Sequence, residues 1–293
     1  MKALTMRLCT VASPEGDRAA FLDSHRRLLY ADVLLPGFRG DVRDLIELDA
    51  TDKVCAQALG ASDDLFTSPD GLTFTAPYRR PRKIWGIGLN YMAHAADLAE
   101  SVPTEPASFI KGDHTIVGPD APIELPPTSL TERVTAEAEL GLIIGRHCRN
   151  VGEDEALDYV WGVTTILDQT AEDILARNPR FLTRCKNFPT FFNFGPHLVS
   201  LDEVHERFPD LGDIEVTTAR NDDTFRVNTV ANMTFGLAHL VSFHSQVMPL
   251  FPGDIISTGT PGALVIADGD VVECRIPGIG HLTNRVVATE AQR

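Results

Sequence analysis

The chain has 293 residues, 43% of them hydrophobic, with 26 Lys+Arg against 41 Asp+Glu and a formal net charge of −15. That length supports one large domain or a large one with a small appendage, and the negative charge argues against nucleic acid or an anionic membrane surface as partner. Cys9, Cys55, Cys148, Cys185 and Cys274 are scattered and form no C-x-x-C pair, so neither a zinc cage nor a disulfide framework is indicated, and reduced thiols in a cytoplasmic protein are expected.

The first residues lack a continuous apolar h-region, and no run of about 18 apolar residues occurs anywhere, so neither a signal peptide nor a membrane span is expected. Residues 1–78 read as a small N-terminal α/β module, with strands near 6–12 and 18–23 and helical apolar spacing over 42–48 and 53–59. Nothing in this module carries chemistry, and a packing or dimer-forming role is expected. Residues 77–82 form a Pro/Arg-rich linker, and the chemistry is expected in 79–293. The 83–91 strand contains Gly86-x-Gly88, but Tyr91 occupies the third glycine position of a dinucleotide fingerprint.

His94 and Asp97 are three apart and share one face if helical. A carboxylate beside a histidine orients and strengthens a general base; the bland alternative is a surface pair worth a few tenths of a kcal/mol. The flanking residues 93–106 have the Ala, Glu, Pro and Ser mixture of a mobile lid. Residues 108–111 form a short strand ending at Lys111.

Val134-Thr-Ala-Glu137-Ala-Glu139-Leu-Gly-Leu-Ile-Ile144 reads as a strand entering the core. Side chains two apart share a face, so Glu137 and Glu139 project side by side. Two adjacent carboxylates repel, and burying them unpaired costs several kcal/mol. Either they lie on a solvated face or a cation sits between them. Taken alone, the stretch favours the solvated face.

Residues 154–160 suggest an acidic-started helix, and 161–168 a β-branched strand ending at Asp168. A helix is expected over 170–177, followed by a loop with Lys186. Strands at 214–218 and 225–230, a helix over 233–246 and glycine-punctuated strands near the C-terminus make the chain β-rich. His147, His197, His205, His239, His244 and His281 have no ligand-like spacing. Trp85 and Trp161 are expected in the core, and Asp254 and Asp270, each after a glycine, in turns.

Several motifs together resemble the fumarylacetoacetate hydrolase family. They are Gly88-Leu-Asn-Tyr-Met-Ala-His94, Phe109-Ile-Lys111, Glu137-Ala-Glu139-Leu, Asp168 after its strand, Lys186-x-Phe-x-Thr190, Gly195-Pro196, the run from Pro252 to Pro261, and Gly269-Asp-x-Val-Glu273. The resemblance implies an α+β, β-rich fold, a mixed sandwich roll, usually homodimeric, in its smaller-substrate branch of acylpyruvate hydrolases and oxaloacetate decarboxylases. Carried over residue by residue, it implies Glu137, Glu139 and Asp168 as metal ligands, and His94, Asp97 and Lys186 as catalytic groups. Thr260, Tyr91 and Lys111 are the corresponding substrate contacts.

Three carboxylates without Cys or His suit a hard divalent ion, Mg²⁺ or Mn²⁺, with Ca²⁺ possible. The expected reaction is hydrolysis of the C3–C4 bond of a 2,4-dioxo acid, acylpyruvate or fumarylpyruvate in type, in the catabolism of aromatic compounds. Decarboxylation or tautomerisation of an oxaloacetate-like or hydroxymuconate-like 2-oxo acid uses the same chemistry and stays open. So does a degenerate homologue that binds a small acid without turnover. Departures from the family pattern are Glu172 where an arginine is usual, the Arg220 to Asp223 turn, and the early Gly262; these bear on the substrate.

Overall fold

The computed structural model describes residues 7–48, 51–92 and 103–288. Two sheets organise these residues. The larger has 12 strands. Its main path runs Leu28–Tyr30, Arg18–Leu22, Arg7–Val11, His197–Ser200, Val160–Ala171, Val134–Ile144, Ile255–Ser257, Ile84–Gly88 and Ala107–Lys111. Ala263–Ile266 also pairs with Val134–Ile144, Phe192–Phe194 with Val160–Ala171, and Ile116–Val117 with Phe192–Phe194. The second sheet has five strands: Asp223–Thr229, Glu215–Arg220, Val271–Ile276, Gly280–Ala288 and Ile123–Leu125. The result is an α+β, strand-rich fold with two mixed sheets.

The three N-terminal strands do not form a sheet of their own. Arg7–Val11 pairs with His197–Ser200, which extends the larger sheet sideways. Their apolar residues Leu8, Phe21 and Leu29 share a core with Ile143, Ile166, Phe192, Phe194 and Ile255.

The two longest strands lie at the centre and pair antiparallel along their length. All eleven residues of Val134–Ile144 are buried, so both faces of this strand are covered. On one face, Ala136, Ala138, Leu140 and Leu142 pack with Val216, Val272, Cys274 and Leu282 of the second sheet. The small alanines let the second sheet approach closely. The other face carries Ile143 against the N-terminal core at one end and the two glutamates at the other. No helix among the described residues is long and apolar enough to cross a membrane.

Local readings differ in two places. The expected helix over 154–160 is a turn followed by the short 3₁₀ helix Ala156–Tyr159; Val160 is already committed to the central ladder, which leaves too few residues for an α-helix. The expected helix from 170 starts only at Glu172, because the strand runs on to Ala171 opposite Val134. Tertiary pairing overrides local propensity at both. Asn221 and Asp222, both at positive φ, form the two-residue turn between Glu215–Arg220 and Asp223–Thr229, as a tight hairpin requires.

Asp254 does more than shape its turn. It is fully buried, accepts from the Phe251 and Lys83 amides at 2.8 and 2.9 Å, and meets the Lys83 ammonium at 2.6 Å. This pair ties the start of Ile84–Gly88 to the start of its parallel neighbour Ile255–Ser257. Lys83→Met leaves that carboxylate buried without its cation, so unfolding free energy is expected to fall by about 3 kcal/mol. A urea titration checks it: the midpoint drops while the slope stays unchanged.

Candidate metal centre

Glu137 faces Asp168 directly across the central ladder, and Glu139 lies two residues further along the same face. Their carboxylates offer ligand atoms that all lie within 4.8 Å of one another. Exposure is 9% for Glu137, 1% for Glu139 and 0% for Asp168, so the solvated-face reading does not hold. Each buried anion must be compensated, or it costs several kcal/mol.

Two lysines supply most of the compensation. The Lys186 ammonium donates to Glu137 Oε2 and Asp168 Oδ2, both at 2.8 Å. Lys111 donates to Asp168 Oδ1 and to the backbone carbonyl of Lys186, both at 2.5 Å. Burial would push the Lys186 ammonium down, but Asp168, Glu137 and Glu139 outweigh it and hold its pKa well above the ordinary lysine value. Burial pushes Lys111 below its ordinary value, and the Asp168 charge restores only part of the fall.

Glu139 is held differently. Its Oε2 accepts from Ser257 Oγ at 2.5 Å and from the Gly259 amide at 2.8 Å, all neutral donors. Thr170 Oγ1 donates to Glu137 Oε1 at 2.5 Å. Three carboxylates thus face two ammoniums, and one formal negative charge is left over. Burial first, then the charges of Asp168 and Glu137, push the Glu139 carboxyl up to about 8. The donor set is all oxygen and carries excess negative charge, which fits a hard divalent cation such as Mg²⁺ or Mn²⁺.

The centre opens into a cavity of about 330 Å³. Glu137, Lys186 and Thr260 line it, and so do Thr170 and Phe109. Thr260 Oγ1 donates to the Gly262 carbonyl at 3.1 Å. Tyr91 is fully buried, and its hydroxyl has no hydrogen-bond partner among the described residues. Burial, reinforced by the nearby Glu139 charge, pushes its phenol up. Lys111 is enclosed behind Asp168 and is absent from the cavity lining. His94 and Asp97 lie outside the described residues.

Sequence reasoning did not single out Thr170, Ser257 and Gly259 as supports of the carboxylates. Thr170 was findable, since it lies two residues beyond Asp168 on the same strand face. Ser257 and Gly259 reach Glu139 only through the pairing of Ser257 with Gly141. Other histidines are satisfied elsewhere: His281 meets Glu273 at 2.6 Å, His239 meets Glu153 at 2.8 Å, and His244 Nδ1 lies 2.6 Å from the Leu240 carbonyl.

The Gly259 amide can reach Glu139 because its φ of +101° is open to glycine. An added Cβ would meet Asn90 Cβ at 2.8 Å and the Ile87 carbonyl at 3.2 Å. Gly259→Ala is therefore expected to cost about 1–3 kcal/mol and to weaken metal binding by loosening Glu139; thermal melts with and without Mg²⁺ report both.

A pH dependence also follows. Below about pH 8, Glu139 retains a proton in the metal-free protein that it does not hold when unfolded. The native state then binds more protons than the unfolded chain, so metal-free stability falls as pH rises from about 5 to 8. A cation must displace that proton, so apparent metal affinity rises over pH 6–8 and levels off above. Calorimetry in buffers of different ionisation enthalpy should show roughly one proton released per metal at pH 7, and Glu139→Gln should remove the release.

The fumarylacetoacetate (FAA) hydrolase C-terminal family model matches residues 83–287. A mitochondrial oxaloacetate tautomerase of Xenopus laevis is 30% identical over 297 residues, covering 97% of this chain and 91% of that protein. The crystal structure of 5-carboxymethyl-2-hydroxymuconate delta-isomerase from Mycobacterium smegmatis superposes with a TM-score of 0.75 at 30% identity, covering 97% of this chain and 99% of that one. Maleylpyruvate hydrolase from a Sphingobium species, in complex with manganese (II) ion and pyruvate, superposes with a TM-score of 0.80 at 25% identity, covering 97% and 100%. The chain belongs to the fumarylacetoacetate hydrolase family.

Proposed function

We propose that this protein is a divalent-metal-dependent hydrolase that cleaves the C3–C4 bond of a 2,4-dioxo acid, giving pyruvate and a carboxylic acid. The observation that carries the reading is the Glu137, Glu139 and Asp168 cluster, three carboxylates against two ammoniums, opening into a cavity beside Lys186. The Sphingobium hydrolase, which holds manganese and pyruvate, supports it. The three carboxylates would hold the cation, Mg²⁺ or Mn²⁺. A bound cation there supplies electrostatic stabilisation for negative charge developing on the 2-keto oxygen.

The chain's own residues do the rest. Thr260, on the cavity wall, anchors the substrate carboxylate, and buried Tyr91 is a candidate second donor. His94, oriented by Asp97, takes a proton from water, and the resulting hydroxide adds to the C4 carbonyl. The C3–C4 bond then breaks, the electron pair moves to the pyruvate fragment as its enolate, and C3 is protonated. Lys186 keeps a fixed positive charge beside this fragment, and Lys111 holds Asp168 and the Lys186 backbone in place. Formation of a homodimer is part of the proposal.

A second reading is tautomerisation of an oxaloacetate-like acid, favoured by the length of the match to the Xenopus tautomerase. It needs the same acidic cluster and a proton-transfer group but no attacking water.

Loss of the enol absorbance of acetylpyruvate, followed with and without Mg²⁺ beside oxaloacetate, separates the two. Metal-dependent release of acetate and pyruvate is the expected result. Enol–keto exchange of oxaloacetate without any bond cleavage would move the assignment to tautomerase. His94→Ala is expected to lower kcat by about 10²–10⁴ if it is the base, and Lys186→Met by about 10²–10³ through loss of a fixed charge; steady-state kinetics at saturating metal measure both.

A further inference from the structure

Beyond the acidic cluster, the cavity has a charge pattern of its own. Leu175, Ala176, Pro179 and Leu182 line it, together with Leu89 and Phe109. Among the described residues, the charged side chains in the lining are Glu137, Lys186 and Glu172. Glu137 and Lys186 are bound to each other, so Glu172 is the charged lining group that stands apart from the cluster.

Glu172 follows directly on the last residue of Val160–Ala171 and begins the helix Glu172–Arg177. Its side chain is 22% exposed and pairs with Arg133, whose side chain is 55% exposed and lies outside the lining. The Glu172 amide also donates to the Arg133 carbonyl at 2.9 Å, which fixes the two residues side by side. Among the described residues, a molecule held at the cluster by its 2-oxo acid end presents its other end to these apolar side chains and to the Glu172 carboxylate, which Arg133 pairs from outside the lining.

We propose that Glu172 and the apolar segment after it select 2,4-dioxo acids with an uncharged, apolar substituent at C4 and reject those with a second carboxylate there. The proposal rests on the reading above that the cluster holds the 2-oxo acid end. A second carboxylate would lose its hydration against Leu175, Pro179 and Leu182 with no cation among the described lining residues free to meet it, and would meet the like charge of Glu172. An alkyl chain gains instead, by about fourfold for each methylene fully buried.

The test uses the full chain loaded with Mg²⁺. Values of kcat/KM are measured for 2,4-dioxo acids carrying methyl, propyl and pentyl at C4, and for one of matched length ending in a carboxylate. Calorimetry gives Kd for non-reacting N-alkyl and N-carboxyalkyl oxamates of the same lengths. The expected result is a rise from methyl to pentyl and at least a tenfold preference for the neutral member in both assays. Glu172→Gln should narrow that ratio at least threefold, and Arg133→Met, which leaves Glu172 unpaired, should widen it. A substitution that merely loosened the fold would depress both members and leave the ratio alone.

Diacids bound as well as neutral chains, or a ratio unmoved in both variants, would overturn the assignment while leaving the hydrolase reading intact. A neutral preference among oxamates with no turnover of any dioxo acid would keep the assignment and overturn the hydrolase reading. Failure of all oxamates to bind the loaded protein would overturn both.

Discussion

The register of one strand pair, Glu137 opposite Asp168, is the constraint on which the site depends. It brings three carboxylates to one buried face of the central ladder, where each would cost several kcal/mol without compensation. Two lysines from different elements, one on an edge strand and one at the end of a short helix, must therefore arrive at the same place. The parallel pairing of Ile84–Gly88 with Ile255–Ser257 and the Lys83–Asp254 tie set the neighbouring strands. A slip of one residue in the central pair would turn the glutamates to the opposite face, against the apolar second sheet.

The compensation is unequal, and the inequality has functional content. Glu137 and Asp168 are met by ammoniums, whereas Glu139 is met by a hydroxyl and a backbone amide. The leftover charge is consequently expressed at Glu139, whose carboxyl is pushed up to about 8. A fully neutralised cluster would be more stable and would have less affinity for a cation. Stability is given up at the position where binding of a divalent ion restores it.

The three related proteins act by their names as tautomerase, isomerase and hydrolase, while the acidic cluster in this chain is independent of that choice. An oxygen-rich site with fixed positive charge nearby can serve any reaction that builds negative charge on a 2-keto oxygen. The outcome is decided by what surrounds it: a base able to activate water, and a cavity wall that admits one acyl group and excludes another. Among the described residues, the wall beyond the cluster carries apolar side chains and the Glu172 carboxylate.

Much of this was legible in the sequence. The spacing of Glu137 and Glu139 put both on one strand face, the buried run after them marked the central strand, and the ordered motifs identified the family. Residues 83–287 match that family, and the β-rich fold follows from the same pattern. These features are local, because side-chain alternation along a strand is fixed by backbone geometry alone.

What only the tertiary structure decided is what meets what. Taken alone, the paired glutamates favoured a solvated face; in the structure they are buried, met by Thr170 and Lys186 at Glu137 and by Ser257 and Gly259 at Glu139. Lys111 read as a substrate contact by resemblance, and the structure places its ammonium on Asp168 and the Lys186 carbonyl. Ser257 and Gly259 meet Glu139 from 118 and 120 residues away. No local pattern encodes such partners, since they are selected by long-range pairing and by the cost of leaving a buried charge alone.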